Sequence, residues 1–579
     1  MALLRDQAKR MALERRLLEE AVNNTQDLSV QGWTASEAGE LCVNFELKLL
    51  TVAFAGVLVY PELFPDVPAF VRPQNSRESW SGHQYGGSGV LCLEYGPDNW
   101  HPGITGVELV RSARKLIWGE ILHGVVPNFG PVESRHHVSA GQLLSDNNER
   151  LLVTKLLKTL LAGPGRDIAT QLQGVVDWLT NESVAVVVKA GDPLVALGDA
   201  PDSVLQGAGI TFSGFAVPVP SAAALTDAKD VQDLEARLGS AWPWDEGLGE
   251  EIRLLLAHDA EGQLCSFLLK GGSNRFFRRY YPMVVSGGEA QRLPAHFSKL
   301  SAVSVAIVGM GSLGSKIAVS LARAGVRDFV LLDDDVVLPH NLVRNQLNWL
   351  DVGFSKLNAG ARALKQVAPD LLVSTWPIRI AEQGNPSITA AAAKALAGCT
   401  LVIDATANPG AFVALAAITK RAGNAMVWGE VFGGGGGALM ARSRPGIDAD
   451  ALSIRAHLHG VMENMAPAPA GRPTAYGVET DGMVYVASDA DVGSLAASMT
   501  QFSLDVLCAD PSEYPAAAYL IGFRKFWEFR CPFDVIPVDC PMAGEAQTEQ
   551  VLSEEERFAI ASIQKSIDEA VSATNHGAS

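Results

Sequence analysis

Paired cysteines are missing from this chain. Its 579 residues hold seven cysteines, at 42, 92, 265, 399, 508, 531 and 540. No two stand as C-x-x-C, so a four-cysteine zinc site of ordinary spacing is excluded and no zinc is expected. A sparse, odd count also argues against a secreted disulfide framework and leaves reduced thiols in a cytoplasmic protein as the expectation. Long apolar runs are missing too. No uncharged stretch reaches the roughly 18–20 residues of a membrane helix, and the N-terminal MALLRDQAKRMALERRLLEEA lacks the apolar centre of a leader peptide. Positive charge is scarce. Lys and Arg number 46 against 64 Asp and Glu, a net charge of −18, which disfavours a general nucleic-acid binder. Neither a membrane nor a nucleic acid is therefore expected as a partner.

What remains is a globular composition, 48% apolar and 19% charged. At roughly 100–200 residues per domain, the length means three or four domains. Residues 1–24 carry the apolar spacing of a helix. LCVNFELKLL (41–50) and VAFAGVLVY (52–60) read as strands, the proline-punctuated YPELFPDVPAFVRP (60–73) as largely extended or turned chain, and 106–122 as a helix. This order is α+β. Residues 150–162 read as a helix, followed by strand candidates at 184–190, 210–219 and 265–271, a mixed middle block with no recognisable chemistry.

The pattern changes after residue 300. VSVAIVG (303–309) is a buried-strand run, GMGSLGSKIAVSLARAG (309–325) is a glycine turn into a helix, and FVLLDDD (329–335) is a second strand ending in acids. Alternating strands and helices up to about 425 predict a parallel, doubly wound sheet. Beyond it, GGGGG (433–437) reads as a flexible breaker, DVGSLAASMTQFSLDVL (491–507) as a helix and AYLIGFRKFWEFR (518–530) as a hairpin. The expected boundaries are 1–130, 131–290 for a linker or spacer, 291–545, and a tail at 546–579.

Gly309, Gly311 and Gly314 form G-x-G-x-x-G between a strand and a helix. Glycines allow the tight turn and a close backbone approach, and the helix N-terminus favours phosphate. Asp333 lies 333 − 314 = 19 residues on, where a ribose-binding acid belongs. These features do not separate a dinucleotide from ATP. NLVRNQ (341–346) and DVGFSK (351–356) do. An Arg and a Lys beyond the acid suit a nucleotidyl transfer, in which charge builds on the phosphates.

The run GMGSLGS, LLDDD, NLVRNQ, VGFSK resembles the ThiF/MoeB superfamily of adenylating enzymes, which includes the ubiquitin-activating enzymes. That resemblance implies a Rossmann-like adenylation domain that binds ATP and Mg2+ and works as a homodimer. It assigns Gly309, Gly311 and Gly314 to the ATP phosphates and Asp333 to the ribose. Asn341, Arg344 and Lys356 would contact phosphate, and Asp404, in DATAN (404–408), would lie on the metal side. The second acid of that element is Ala407 here.

Cys92 sits in SGVLCLEYGPDNWHP, after the YPELFP segment and before a helix. The order resembles the ubiquitin-conjugating core over roughly residues 1–125. It implies that Cys92 carries an acyl group as a thioester until an amine attacks it. Where that family has H-P-N, this chain reads HQY (83–85), with His83 open to an orienting or a structural role. The pair of domains in one chain resembles bacterial activating–conjugating fusions of anti-phage operons. Their acyl donor is the C-terminus of a ubiquitin-like protein or a nucleotide cyclase, and the acceptor is a target amine. The loop before the helix at 491, where activating enzymes keep a cysteine, has none; Ser488 stands near that place, as an oxyester nucleophile or as a helix cap. The rival readings are a sulfur-carrier adenylyltransferase with a vestigial N-terminal domain and a non-catalytic scaffold for a ubiquitin-like partner.

Overall fold

The computed structural model describes residues 7–126, 147–284, 292–465 and 483–542 with short gaps (76–77, 86–87, 164–166, 180, 200–208 and 510), together with residues 3, 132, 144–145, 472–473, 478–480 and a few positions between 553 and 564. The chain divides into two compact units, Met1–Ser145 and Asp146–Ser579. Among the described residues, no helix is long and apolar enough to cross a membrane.

The first unit begins with helix α1 (Ala8–Asn24). An antiparallel meander follows, β1 (Leu28–Ala35), β2 (Leu41–Leu49), β3 (Val52–Tyr60) and β4 (Phe70–Pro73), and then helix α2 (Gly106–Val125). Strand β2 buries Val43, Phe45, Leu47 and Leu49, alternate residues that share one face of a pleated strand. They pack with Leu18 of α1 and Leu109, Val110 and Ile117 of α2. Strand β1 escapes a sequence reading because it is a half-exposed edge whose register shifts between Val30 and Gly32. A buried carboxylate ties these elements together. Glu14 of α1 accepts the Tyr60 hydroxyl at 3.0 Å, the Gly106 N–H at 2.7 Å and the Arg10 Nε–H at 2.8 Å.

The second unit holds two large sheets. The first runs through β5 (Glu149–Val153), β6 (Thr170–Leu179), β7 (Glu182–Ala190), β8 (Val195–Ala196), β9 (Ile210–Pro218), β10 (Arg253–His258), β11 (Leu264–Lys270) and β12 (Phe276–Val284). The order is β5-β12-β11-β10-β9-β6-β7-β8, and β5 also pairs with β7, so seven strands close into a barrel. Helix α3 (Lys155–Ala162) follows β5, and α4 (Val231–Leu238) packs outside the barrel through Leu234 and Leu238. The single helix expected over 150–162 is thus corrected. Barrel closure claims the first residues as a strand paired on both sides. The helix starts after Thr154, whose Oγ1 accepts the Leu157 N–H at 3.3 Å.

The last large sheet is β13 (Ser304–Val308), β14 (Asp328–Leu332), β15 (Leu372–Trp376), β16 (Leu401–Asp404), β17 (Ala425–Phe432) and β18 (Gly437–Ser443), then β22 (Ala518–Gly522) and β23 (Val535–Val538); the short β19 (Arg472–Pro473), β20 (Val478–Thr480) and β21 (Met483–Tyr485) form a separate small sheet. The order β15-β14-β13-β16-β17 is parallel throughout, and the remaining strands add antiparallel. Both faces are covered, which explains the uninterrupted apolar runs. Val305, Ile307 and Leu331 face α5 (Ser312–Ala324), α6 (Lys356–Val367) and α10 (Asp489–Cys508). Ala306, Val308 and Leu332 face α7 (Pro386–Ala397), α8 (Pro409–Ala422) and α9 (Ala451–Asn464).

Two further expectations are corrected here. The hairpin's second strand is β23, not FWEFR, because Phe526 and Phe529 fold back over the glycine segment at 433–437. That segment is not a flexible breaker. Residues 433–435 form a tight turn with φ of +59°, +58° and +91°, and side-chain carbons there would collide with Phe526, Tyr485 and Asp491.

Candidate active site

A cleft of about 260 Å³ opens at the C-terminal ends of β13 and β14 and beside the loop after β16, the crevice in which open α/β sheets bind ligands. Its floor is the glycine turn. Gly309 leaves β13 at φ +90°, and a carbon added at Gly314 would lie 1.9 Å from the Gly309 carbonyl oxygen. Helix α5 therefore starts close against the turn, with Gly311 as its first flanking residue. A carbon at Gly311 would meet nothing within 4 Å, so the backbone there faces open space.

Asp333 ends β14 and clamps this turn. Its Oδ2 accepts the Met310 N–H at 2.7 Å and its Oδ1 accepts the Asp335 N–H at 2.8 Å. The carboxylate is fixed at the cleft wall by backbone alone. Lys356 opens α6 with a nearly buried stem, and its Nζ lies 2.8 Å from Asp335 Oδ2. The lysine hydrogen bond holds the Asp335 carboxyl below the usual carboxylate range.

The cleft thus brings together Gly309, Gly311, Asp333 and Lys356, with Gly314 directly behind. Other expected residues fall elsewhere. Asn341 caps a short turn by accepting the Leu338 N–H at 2.8 Å. Arg344 donates to the Ala487 carbonyl at 3.1 Å. Asp404 lines a smaller neighbouring pocket with Trp428, Glu430, Arg455 and His459; Asn408 lines both. The Asp404 Oδ1 accepts both the N–H and the hydroxyl of Thr406, at 2.9 and 2.6 Å, and burial raises the Asp404 pKa.

Two residues that the sequence reading missed complete the cleft region. Asn345, buried between Arg344 and Gln346, donates to the Met310 carbonyl at 3.3 Å and so braces the turn from a second side. Arg379, in the loop after β15, lines the cleft and pairs with Asp334 at 2.6 Å. Asn345 stands inside NLVRNQ, a run the sequence reading had already singled out; Arg379 had no such signal.

Cys92 is partly exposed between the buried Leu91 and Leu93. Its N–H donates to the His83 carbonyl at 2.8 Å. The His83 ring is engaged elsewhere, donating from Nε2 to the Val132 carbonyl at 2.6 Å. The side chain that reaches the sulfur is Tyr85, whose hydroxyl lies 3.8 Å from Sγ. Burial, and then the thiol beside it, raise the Tyr85 pKa. Trp100 donates to the Pro65 carbonyl at 2.7 Å and so ties the loop after the cysteine to the proline segment before it.

Ser488 caps α10. Its Oγ donates to Asp491 Oδ2 at 2.8 Å and accepts the Asp491 N–H at 3.2 Å. Arg524 pairs with the same Asp491 at 3.0 Å, and Lys316 of α5 pairs with Asp489 at 2.8 Å. Among the described residues, no group of three metal-ligating side chains converges.

Residues 289–468 match the ThiF family. The doubly wound sheet is thus a ThiF-type, Rossmann-like adenylation domain within a mixed α/β chain. The ThiF segment contains the glycine turn, Asp333, Asn341, Arg344, Lys356, Arg379 and Asp404, whereas Cys92 and Ser488 lie outside it. Over 140 residues the chain is 34% identical to the uncharacterized protein y4qC of Sinorhizobium fredii, a stretch covering 24% of each chain. It is 34% identical over 113 residues to the ATP-dependent ubiquitin transferase-like protein Cap2 of Enterobacter hormaechei, covering 20% of this chain and 18% of the relative. The solved structure of E. coli MccB with ATP superposes with a TM-score of 0.32 at 15% identity, covering 44% of this chain and 68% of that one. The chain spans about a quarter of the length of the curated relatives it matches.

Proposed function

We propose that this chain activates the C-terminal carboxylate of a partner protein with ATP and passes the acyl group through Cys92 to a target amine. One observation carries the reading: the Asp333 clamp on the Met310 N–H, beside an open glycine turn and Lys356, in a ThiF segment. The residues present fit ATP. Gly311 leaves room for phosphate over a helix N-terminus, Asp333 is held ready for ribose hydroxyls, and Lys356 supplies charge.

The partner's carboxylate oxygen attacks the α-phosphorus of ATP. The α–β bridging bond breaks, pyrophosphate leaves, and an acyl-adenylate remains. Lys356 offsets the charge that builds on the phosphates. Asp404 is the metal-side carboxylate of this reading. In this reading Asp404, on the pocket beside the cleft, would hold Mg2+ together with the substrate phosphates, and the ion would neutralise phosphate charge.

The Cys92 thiolate then attacks the acyl carbon and AMP leaves. A target amine attacks the thioester, its proton passes to solvent, and the thiolate is released. Tyr85 is placed to donate to the sulfur. The hydroxyl of Ser488 is held in a reciprocal cap with Asp491, which favours direct transfer from adenylate to Cys92 over an oxyester. The partner is a ubiquitin-like protein or a nucleotide cyclase, the working form a homodimer, and the setting bacterial anti-phage defence, as the resemblance in domain order implies.

The test is incubation with ATP, Mg2+ and the partner encoded beside the gene, followed by non-reducing gels. A thiol-sensitive adduct forms with the native chain and is missing in Cys92→Ala. An adduct unchanged by that substitution excludes Cys92 as the carrier. Pyrophosphate exchange without any thioester supports a sulfur-carrier adenylyltransferase instead, and neither activity supports a scaffold.

A further inference from the structure

The cleft is lined by more acid than base. Asp333, Asp334, Asp335 and Glu382 stand against Lys356 and Arg379. In this structure each cation is taken. Lys356 pairs with Asp335 at 2.8 Å, and Arg379 with Asp334 at 2.6 Å and Glu382 at 3.7 Å. A polyphosphate entering over the glycine turn therefore competes with Asp335 for Lys356. As Lys356 turns to phosphate, the half-exposed Asp335 carboxylate is left facing an anion, which opposes binding.

The structure holds a remedy. Arg379 Nη2 lies 3.9 Å from Asp335 Oδ1. The Arg379 side chain is half exposed, and a movement of roughly 1 Å brings it to hydrogen-bond distance. Its planar fork can keep Asp334 on one nitrogen while taking Asp335 on another.

We propose that Arg379 is a positioning residue that takes over Asp335 when nucleotide phosphate draws Lys356 away. The proposal rests on the adenylation reading, in which Lys356 meets phosphate. It makes Asp335 a competitor of the nucleotide for Lys356 and Arg379 the group that relieves the competition. Two substitutions in one cleft then have opposite signs, which a general packing role does not produce.

The experiment is calorimetric titration of the full chain with ATP-Mg and, separately, with adenosine, which has no phosphate to draw on Lys356. Each expected change is about twofold to fivefold, the size of a part-exposed ion pair. Asp335→Asn tightens ATP, and Arg379→Ala weakens it. In the Asp335→Asn background Arg379→Ala costs less than twofold, because no carboxylate is left to hand over. Arg379→Lys recovers part of the affinity, and adenosine binds all variants alike. Weaker ATP binding in Asp335→Asn, or an Arg379→Ala loss that persists in the double variant or appears with adenosine, overturns the proposal. Absence of ATP binding by the native chain overturns the adenylation reading beneath it.

Discussion

Two glycine-rich segments lie in the same sheet, and they serve opposite ends. The turn at 309–314 leaves its middle glycine bare: a carbon at Gly311 meets nothing within 4 Å. The turn at 433–435 is filled: a carbon at Gly434 would lie 2.4 Å from the Tyr485 Cβ. Both use positive φ, +90° at Gly309 and +58° at Gly434. The first spends that freedom on a surface a ligand can approach. The second spends it on a joint between β17, β18 and the start of α10. Glycine content therefore does not mark a ligand cradle; unoccupied space beside the backbone does.

Substitutions sharpen the contrast. The largest effect belongs to Gly314→Ala. Its carbon would overlap the Gly309 carbonyl, and overpacking of this kind costs about 1–3 kcal/mol. The turn shifts with it, so ATP–pyrophosphate exchange falls by about 100-fold, about 2.7 kcal/mol. Next is Gly434→Ala, which combines a left-handed backbone with a clash. A loss of about 1–3 kcal/mol is expected from urea unfolding, with the KM for ATP unchanged. A raised KM there would erase the distinction between the two turns.

Gly311→Ala fills the cleft without touching protein. Its unfolding midpoint stays put while the KM for ATP rises about tenfold, about 1.4 kcal/mol. The smallest effect is Ser488→Ala, which removes one cap at a cost of about 1 kcal/mol and leaves the Cys92 adduct forming at its normal rate. A lost or slowed adduct would make Ser488 a nucleophile after all.

The ThiF segment was legible because its needs are local. A strand, a close turn and an acid at the next strand's end impose residue types in a fixed order, and Gly309, Gly311, Gly314 and Asp333 obey them. Lys356 followed from the motif in the same way. Arg379 did not, because it reaches the cleft only through the pairing of β15 with β14. Asn345 needed the fold of the loop that carries it under Met310. The barrel escaped for a related reason. It is closed by β5, whose two parallel pairings join residues far apart in sequence, and no short pattern encodes such closure. At Cys92 the sequence left His83 between an orienting and a structural role; the chain turns that ring to Val132 and sets the Tyr85 hydroxyl 3.8 Å from the sulfur.

The central claim is that this cleft joins ATP to a carboxylate. The most direct measurement is isotope exchange between pyrophosphate and ATP, run with the neighbouring partner protein carrying a free C-terminus or a C-terminal amide. Exchange is expected with the free carboxylate alone, lost on Lys356→Ala and kept in Cys92→Ala. Exchange that ignores the amide, or none with the free C-terminus, would contradict it.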